Sequence, residues 1–258
     1  MFSSEILLKD ATKAAETIPQ DDLIHAGFDR DFGVPTTDIL IVFSTPRSGS
    51  TLLCELLYRN GLCLAHEYFQ ERYYLPILAS RWQCSDGRRL DKSGFISSLL
   101  KFRTLSNGWL GINLHGEHLK TFLKLESLLP DITFHYLHIQ RRDSISQAVS
   151  YEIAAQTGQW SGHFKPGREP VYSYYRVLHK LYRIGKQTAL INAYLHSRNC
   201  SCHSVYYEDF VADPQQTLQR LPFFTLQDTF QQSTGLKRQS GGVNTEWVQR
   251  FSRKFLSL

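Results

Sequence analysis

Residues 39–51 read Ile-Leu-Ile-Val-Phe-Ser-Thr-Pro-Arg-Ser-Gly-Ser-Thr, and no other stretch restricts the fold as much. The run from Ile39 to Phe43 is apolar and β-branched, the pattern of a buried strand. Thr45, Pro46 and Gly49 break it, and Leu52-Leu53-Cys54-Glu55-Leu56-Leu57 reads as a helix. A strand that feeds a helix through a tight loop leaves several backbone N–H groups without intrahelical partners, all aimed into the loop. Arg47 adds a fixed positive charge there, and Ser48, Ser50 and Thr51 add hydroxyl donors. The ligand this implies is a phosphate-like anion. The loop is not a Walker A sequence, which places two glycines around four residues and follows them with Lys and Ser or Thr. Here one glycine is present and Arg47 precedes it, which disfavours a nucleotide kinase or ATPase. Taken alone, the loop could also be an ordinary strand–turn–helix carrying a surface arginine.

A chain of 258 residues with 42% hydrophobic and 13% aromatic content can bury the core of one α/β domain or two small ones. No run approaches the roughly 20 apolar residues that span a bilayer. Met1 to Gln20 is charged and mixed, without the pattern of a signal peptide. Five cysteines without CxxC spacing suggest reduced thiols, and a cytoplasmic protein is expected. Strands are predicted near 39–44, 109–114, 133–140 and 203–207. Helices are predicted near 50–59, 92–104, 117–127, 144–156, 170–196 and 214–221. Such alternation implies a parallel sheet with both faces covered and ligands at the carboxyl ends of its strands. Residues 1–37 form a helical lead-in, with Asp10 capping Ala11–Thr17, that packs on the core or makes a homodimer contact. Residues 38–258 form a single domain. Net charge is +5, and the last 27 residues carry Lys237, Arg238, Arg250, Arg253 and Lys254 against Glu246. That tail lacks the interleaved aromatics of a nucleic-acid platform, so it reads as part of an anionic-cofactor site or as a solvated face.

Pro46-Arg47-Ser48-Gly49-Ser50-Thr51-Leu52-Leu53 resembles the phosphosulfate-binding loop of sulfotransferases. Gln140-Arg141-Arg142-Asp143 through Gln147-Ala148-Val149-Ser150-Tyr151 resembles that family's second motif, and Tyr207-Glu208-Asp209-Phe210 with Asp213-Pro214 a later one. His66-Glu67-Tyr68-Phe69-Gln70, Gln156-Thr157-Gly158-Gln159-Trp160 and Glu246-Trp247-Val248-Gln249-Arg250-Phe251 are most similar to the bacterial trehalose 2-sulfotransferase type. The resemblance implies a P-loop-like sulfotransferase fold, a central parallel sheet flanked by helices, and 3′-phosphoadenosine 5′-phosphosulfate (PAPS) as donor with no metal. It gives Arg47, Ser48, Gly49, Ser50 and Thr51 to the 5′-phosphosulfate, Ser150 with Arg141 or Arg142 to the 3′-phosphate, and Lys237 and Arg238 to a C-terminal grip on the nucleotide. Pro46, His66, Glu67, Tyr68, Phe69 and Trp160 fall to the acceptor, and the aromatic stretch 66–108 is read as the acceptor side. Residues 157–169, rich in Gly and Pro, are a candidate lid, and His163 lies within it.

Three residues are candidates for the chemistry itself. Glu67 is the first choice for the base, His115 the second, and Arg47 would stabilise the transferring group. Two departures stand out: Asn113 occupies the place of a family lysine, and Pro46 that of a sugar-contacting glutamine. His115-Gly116-Glu117-His118 lacks the HExxH arrangement and has no third ligand nearby in sequence, so no metal site is expected. The expected function is sulfonate transfer to a hydroxyl, with nitrogen as second choice, of a small polar metabolite, sugar or natural product. An inactive nucleotide-binding module and a P-loop kinase are the alternatives.

Overall fold

The predicted strand at 39–44 is the centre of the sheet. The structure, a computed structural model, describes residues 5–10, 12–16, 18–86, 88–161, 164, 167–224, 229–232, 234 and 241–257. Numbered in chain order, the strands are β1 (Asp38–Ser44), β2 (Leu64–His66), β3 (Ser85–Asp86), β4 (Arg89–Leu90), β5 (Trp109–His115), β6 (Thr133–Gln140) and β7 (His203–Tyr206). The main sheet runs β2-β5-β1-β6-β7 with every pair parallel, while β3 and β4 form a small antiparallel ribbon. Burial on both faces explains why β1 is an unbroken apolar run. Ile39, Ile41 and Phe43 enter one core, and Leu40 and Val42 enter the other with Leu53, Leu56 and Leu57.

The helices are α1 (Thr12–Glu16), α2 (Ser50–Arg59), α3 (Tyr74–Arg81), α4 (Lys92–Arg103), α5 (Leu119–Leu123), α6 (Ser144–Thr157), α7 (Tyr174–Ser197), α8 (Tyr207–Ala212), α9 (Pro214–Gln219) and α10 (Gly242–Leu256). Val149 of α6, Val177 and Ile184 of α7, and Trp247 and Phe251 of α10 share a third core. The helix expected over 117–127 is broken into a 3-10 turn at Gly116–His118, α5, and a second turn at Glu126–Leu128. Helix α7 presses directly on the first of these turns, where a Cβ on Gly116 would lie 2.4 Å from the carbonyl oxygen of Gln187.

The lead-in packs on the core. Ile6 and Ile24 are buried there, Leu8 N–H donates to the Arg88 carbonyl at 2.7 Å, and fully buried Arg103 donates to the Leu23 carbonyl at 2.6 Å. Register sets the functional end of the sheet. Ser44 is level with His115 and Phe43 with His138, so the loops after β1, β5 and β6 open on one edge. No helix among the described residues is long and apolar enough to cross a membrane.

Candidate active site

The chain leaves β1 at Ser44 and turns through Thr45–Gly49 into α2. Two loop residues take left-handed backbone angles, Arg47 at φ 67° and Gly49 at φ 95°. Gly49 is required twice over, because a Cβ there would also sit 2.3 Å from the Tyr207 ring. Arg47 holds an angle uncommon for a non-glycine residue, and hydrogen bonds anchor its side chain there. Its Nε donates to Ser150 Oγ at 3.0 Å, and its Nη1 donates to the Trp160 carbonyl. Gln147 steadies the loop from α6, its Nε2 donating to Thr45 Oγ1 and to the Pro46 carbonyl, both at 2.8 Å.

Arg141 arrives from the end of β6. Its Nη1 donates to the Arg47 carbonyl at 3.5 Å, and its guanidinium lies over the Tyr207 ring, 4.9 Å from the centroid. Its buried Nε makes no hydrogen bond among the described residues and lies 3.9 Å from Glu208. Burial, and then the charge of Arg141, pull the Arg47 pKa down to about 10, with Tyr207 opposing. Two crowded guanidiniums beside a helix start have the chemistry to receive an anion. Gly49, Ser50, Thr51, Arg47, Arg141 and Ser150 all line one cavity of about 890 Å³.

Two residues expected on the donor side do not line this cavity. Arg142 turns outward, forming a two-point pair with Asp209 at 2.7 and 2.6 Å, and does not line the cavity. Ser48 is buried beneath the loop, its hydroxyl without a hydrogen-bond partner among the described residues, and it too is absent from the cavity wall. Asn113, where the family resemblance places a lysine, has a structural role. Asn113 accepts from Ser44 Oγ at 2.6 Å and donates to Ser50 Oγ at 3.3 Å, tying the end of β1 to the start of α2. Lys237, Arg238 and His163 lie outside the described residues.

The far wall of the cavity begins where β2 ends. His66 Nε2 is 3.0 Å from Asp22, and its ring meets Tyr74 edge-on at 4.6 Å. Glu67 accepts from Gln70 Nε2 at 3.3 Å. Its two oxygens lie 3.7 Å from His115 Nε2 and 3.9 Å from His118 Nε2. The two imidazoles stack at 5.0 Å with planes 9° apart. Burial, reinforced by His115, drives the His118 pKa down to about 3.

Pro46, Phe69 and Trp160 also line this cavity. Tyr68 does not: it is fully buried, donates to the Leu64 carbonyl at 2.9 Å, and lies under Arg103. The chain turns just after Glu67, which sends the Tyr68 side chain into the core while His66, Glu67, Phe69 and Gln70 stay on the wall. Several wall residues escaped the sequence reading. Lys9 and Asp22 come from the lead-in, Tyr207 from the start of α8, and Lys180 and Arg183 from α7. The spacing of Lys180 and Arg183, three apart on one helix face, was a usable signal. The approach of His118 to Glu67 was not, since they are distant in sequence.

No curated protein matches the chain. A family model described as Stf0 sulphotransferase matches residues 39–254, from the first residue after Asp38 into the last turn of α10. The parallel sheet flanked by helices and the anion loop after its central strand accord with that match, and the chain belongs to this sulfotransferase family.

Proposed function

We propose that the protein transfers a sulfonate group from PAPS to a hydroxyl, or secondarily a nitrogen, of a small polar metabolite, sugar or natural product. Family membership supplies the reaction class. The observation that supports a doubly anionic nucleotide donor is the convergence of Arg47 and Arg141 at the start of α2, within one cavity that also holds Glu67. PAPS brings a sulfonate already activated as a mixed anhydride with phosphate. Arg47 and the N–H groups at Gly49–Thr51 would hold the phosphosulfate, and Arg141 with Ser150 the 3′-phosphate.

Glu67 takes the proton of the acceptor hydroxyl as the oxygen bonds to sulfur and the bond from sulfur to the leaving phosphate oxygen breaks. Charge on the departing phosphate grows against Arg47, so catalysis is positioning plus electrostatic stabilisation. Glu67 is favoured over His115 because its side chain is the more accessible, 18% against 8% exposed, and accepts from Gln70 in a fixed orientation.

Calorimetry with 3′-phosphoadenosine 5′-phosphate and with adenosine 5′-phosphate tests the donor site. The 3′-phosphate should strengthen binding at least tenfold, and equal affinities would defeat the assignment. With labelled PAPS and an extract of small metabolites, Glu67→Gln should cut transfer by about 10²–10⁴-fold while nucleotide affinity holds. If Glu67→Gln stays active and His115→Ala is dead with donor binding intact, His115 is the base.

A further inference from the structure

The imidazoles of His115 and His118 pose a question that proton transfer alone leaves open. Both are buried, 6% and 5% exposed, and they stand parallel on the cavity wall. His115 Nε2 is sealed from solvent yet makes no hydrogen bond among the described residues. It faces a Glu67 oxygen at 3.7 Å, and His118 Nε2 faces the other at 3.9 Å. These separations are too long for hydrogen bonds. They match ligand atoms that converge on a common centre, and all three donor atoms fall within 4.8 Å of one another.

We propose that Glu67, His115 and His118 form a three-ligand site for a first-row divalent cation of the zinc type, and that an ion held there withdraws Glu67 from proton transfer. The donor set is two imidazole nitrogens and one carboxylate oxygen, which suits Zn²⁺ at bond lengths of about 2.0–2.2 Å. Donor atoms on bonds of that length stand about 3.3–3.6 Å apart in a tetrahedron, so small side-chain rotations close the set. The fourth position faces the cavity, as in zinc sites with three protein ligands. His118 Nδ1 has no acceptor among the described residues. Without that outer hydrogen bond the affinity should be micromolar rather than nanomolar.

The place of the site in the fold explains why sequence spacing hides it. His115 ends β5, His118 closes the 3-10 turn that Gly116 permits, and Glu67 follows β2, the strand beside β5. Adjacent strand ends supply what no local motif could.

The test is Zn²⁺ titration of the whole chain by competition with a chromophoric chelator, which needs no donor, acceptor or turnover. One ion should bind per chain, with Glu67→Gln and His118→Ala each weakening it by about 10–100-fold. Circular dichroism checks that both variants fold, and Glu67→Gln, altered only at the cavity wall, carries the test if His118→Ala does not. Cys200 and Cys202 with His203 are the competing explanation, so Cys200→Ser/Cys202→Ser must retain the binding. No binding below about 100 µM, binding indifferent to Glu67→Gln, or binding lost in the cysteine variant overturns the proposal; the first lies more than tenfold outside the micromolar affinity expected. The effect on turnover rests on the function proposed above: Zn²⁺ should inhibit reversibly, with a chelator restoring activity. A chain that binds Zn²⁺ but never transfers sulfonate defeats only that function, and one that transfers sulfonate but ignores Zn²⁺ defeats only the metal site.

Discussion

Gly49 joins two demands at one backbone position, a left-handed angle and clearance from Tyr207. A methyl group there strains the loop and pushes the ring that backs Arg141. Gly49→Ala should weaken binding of 3′-phosphoadenosine 5′-phosphate at least tenfold and lower the melting temperature by a few degrees, given about 1–3 kcal/mol of backbone strain. Adding Tyr207→Ala should restore space but not the angle, so calorimetry should show partial rescue. A different residue contributes to acid sensitivity. Burial holds the His138 pKa at about 4, below the ordinary 6.5. The unfolded chain takes up a proton near 6.5 that the folded chain refuses until near 4, so stability falls as pH drops through that window. His138→Phe should flatten part of the loss, read as the shift in urea midpoint between about pH 7 and pH 5. His118, held at about 3, has the same sign and keeps the rest of the slope.

Helix α6 works on the anion loop from outside it. Gln147 satisfies Thr45 Oγ1 and the Pro46 carbonyl, and Ser150 accepts from Arg47, one turn further along. Gln147→Ala leaves two buried acceptors without that donor, at about 1–3 kcal/mol for such a group. Donor-nucleotide affinity should drop while the acceptor KM stays near its original value; a change confined to the acceptor KM would contradict this coupling. The β1–loop–α2 unit and the start of α6 were readable in the sequence because strong local signals agree there. Ile39–Phe43 is continuously apolar, Gly49 marks the turn, and Asp143 caps α6 by accepting from Ser146 N–H at 2.8 Å. Strand β2 and helix α3 were missed for equally local reasons. β2 has only three residues, and α3 starts without a side-chain cap and carries Pro76 in its first turn, where a missing N–H costs nothing. The predicted strand at 203–207 ran one residue into α8, since Tyr207 suits either element. Arg141 and Arg142 were indistinguishable in sequence, because only their direction at the end of β6 separates an inward cation from one paired with Asp209.

The lead-in, which lies before the matched residues 39–254, lines the cavity with Lys9, Asp22 and Leu23. Its clamp is Arg103, fully buried, bonded to the Leu23 and Ile24 carbonyls and paired with Asp29. Breaking a buried ion pair from one side costs about 3–5 kcal/mol. Arg103→Met should therefore speed tryptic cleavage at Lys9 and Arg30 and raise the acceptor KM, with the affinity for 3′-phosphoadenosine 5′-phosphate little changed. Equal tryptic rates in the two proteins would show that the clamp is dispensable. The order of strands carries a cost that falls during biosynthesis. Asp38 at the head of β1 pairs with Trp109 and Thr133, and β2 also waits for β5. On the ribosome, Ile39–Phe43 emerges long before any strand it can join. Non-local parallel pairing is slow and leaves apolar edges open to aggregation. The most apolar strand of the fold is thus the one that waits longest, and chaperone protection of the nascent chain matters most before β5 and β6 emerge.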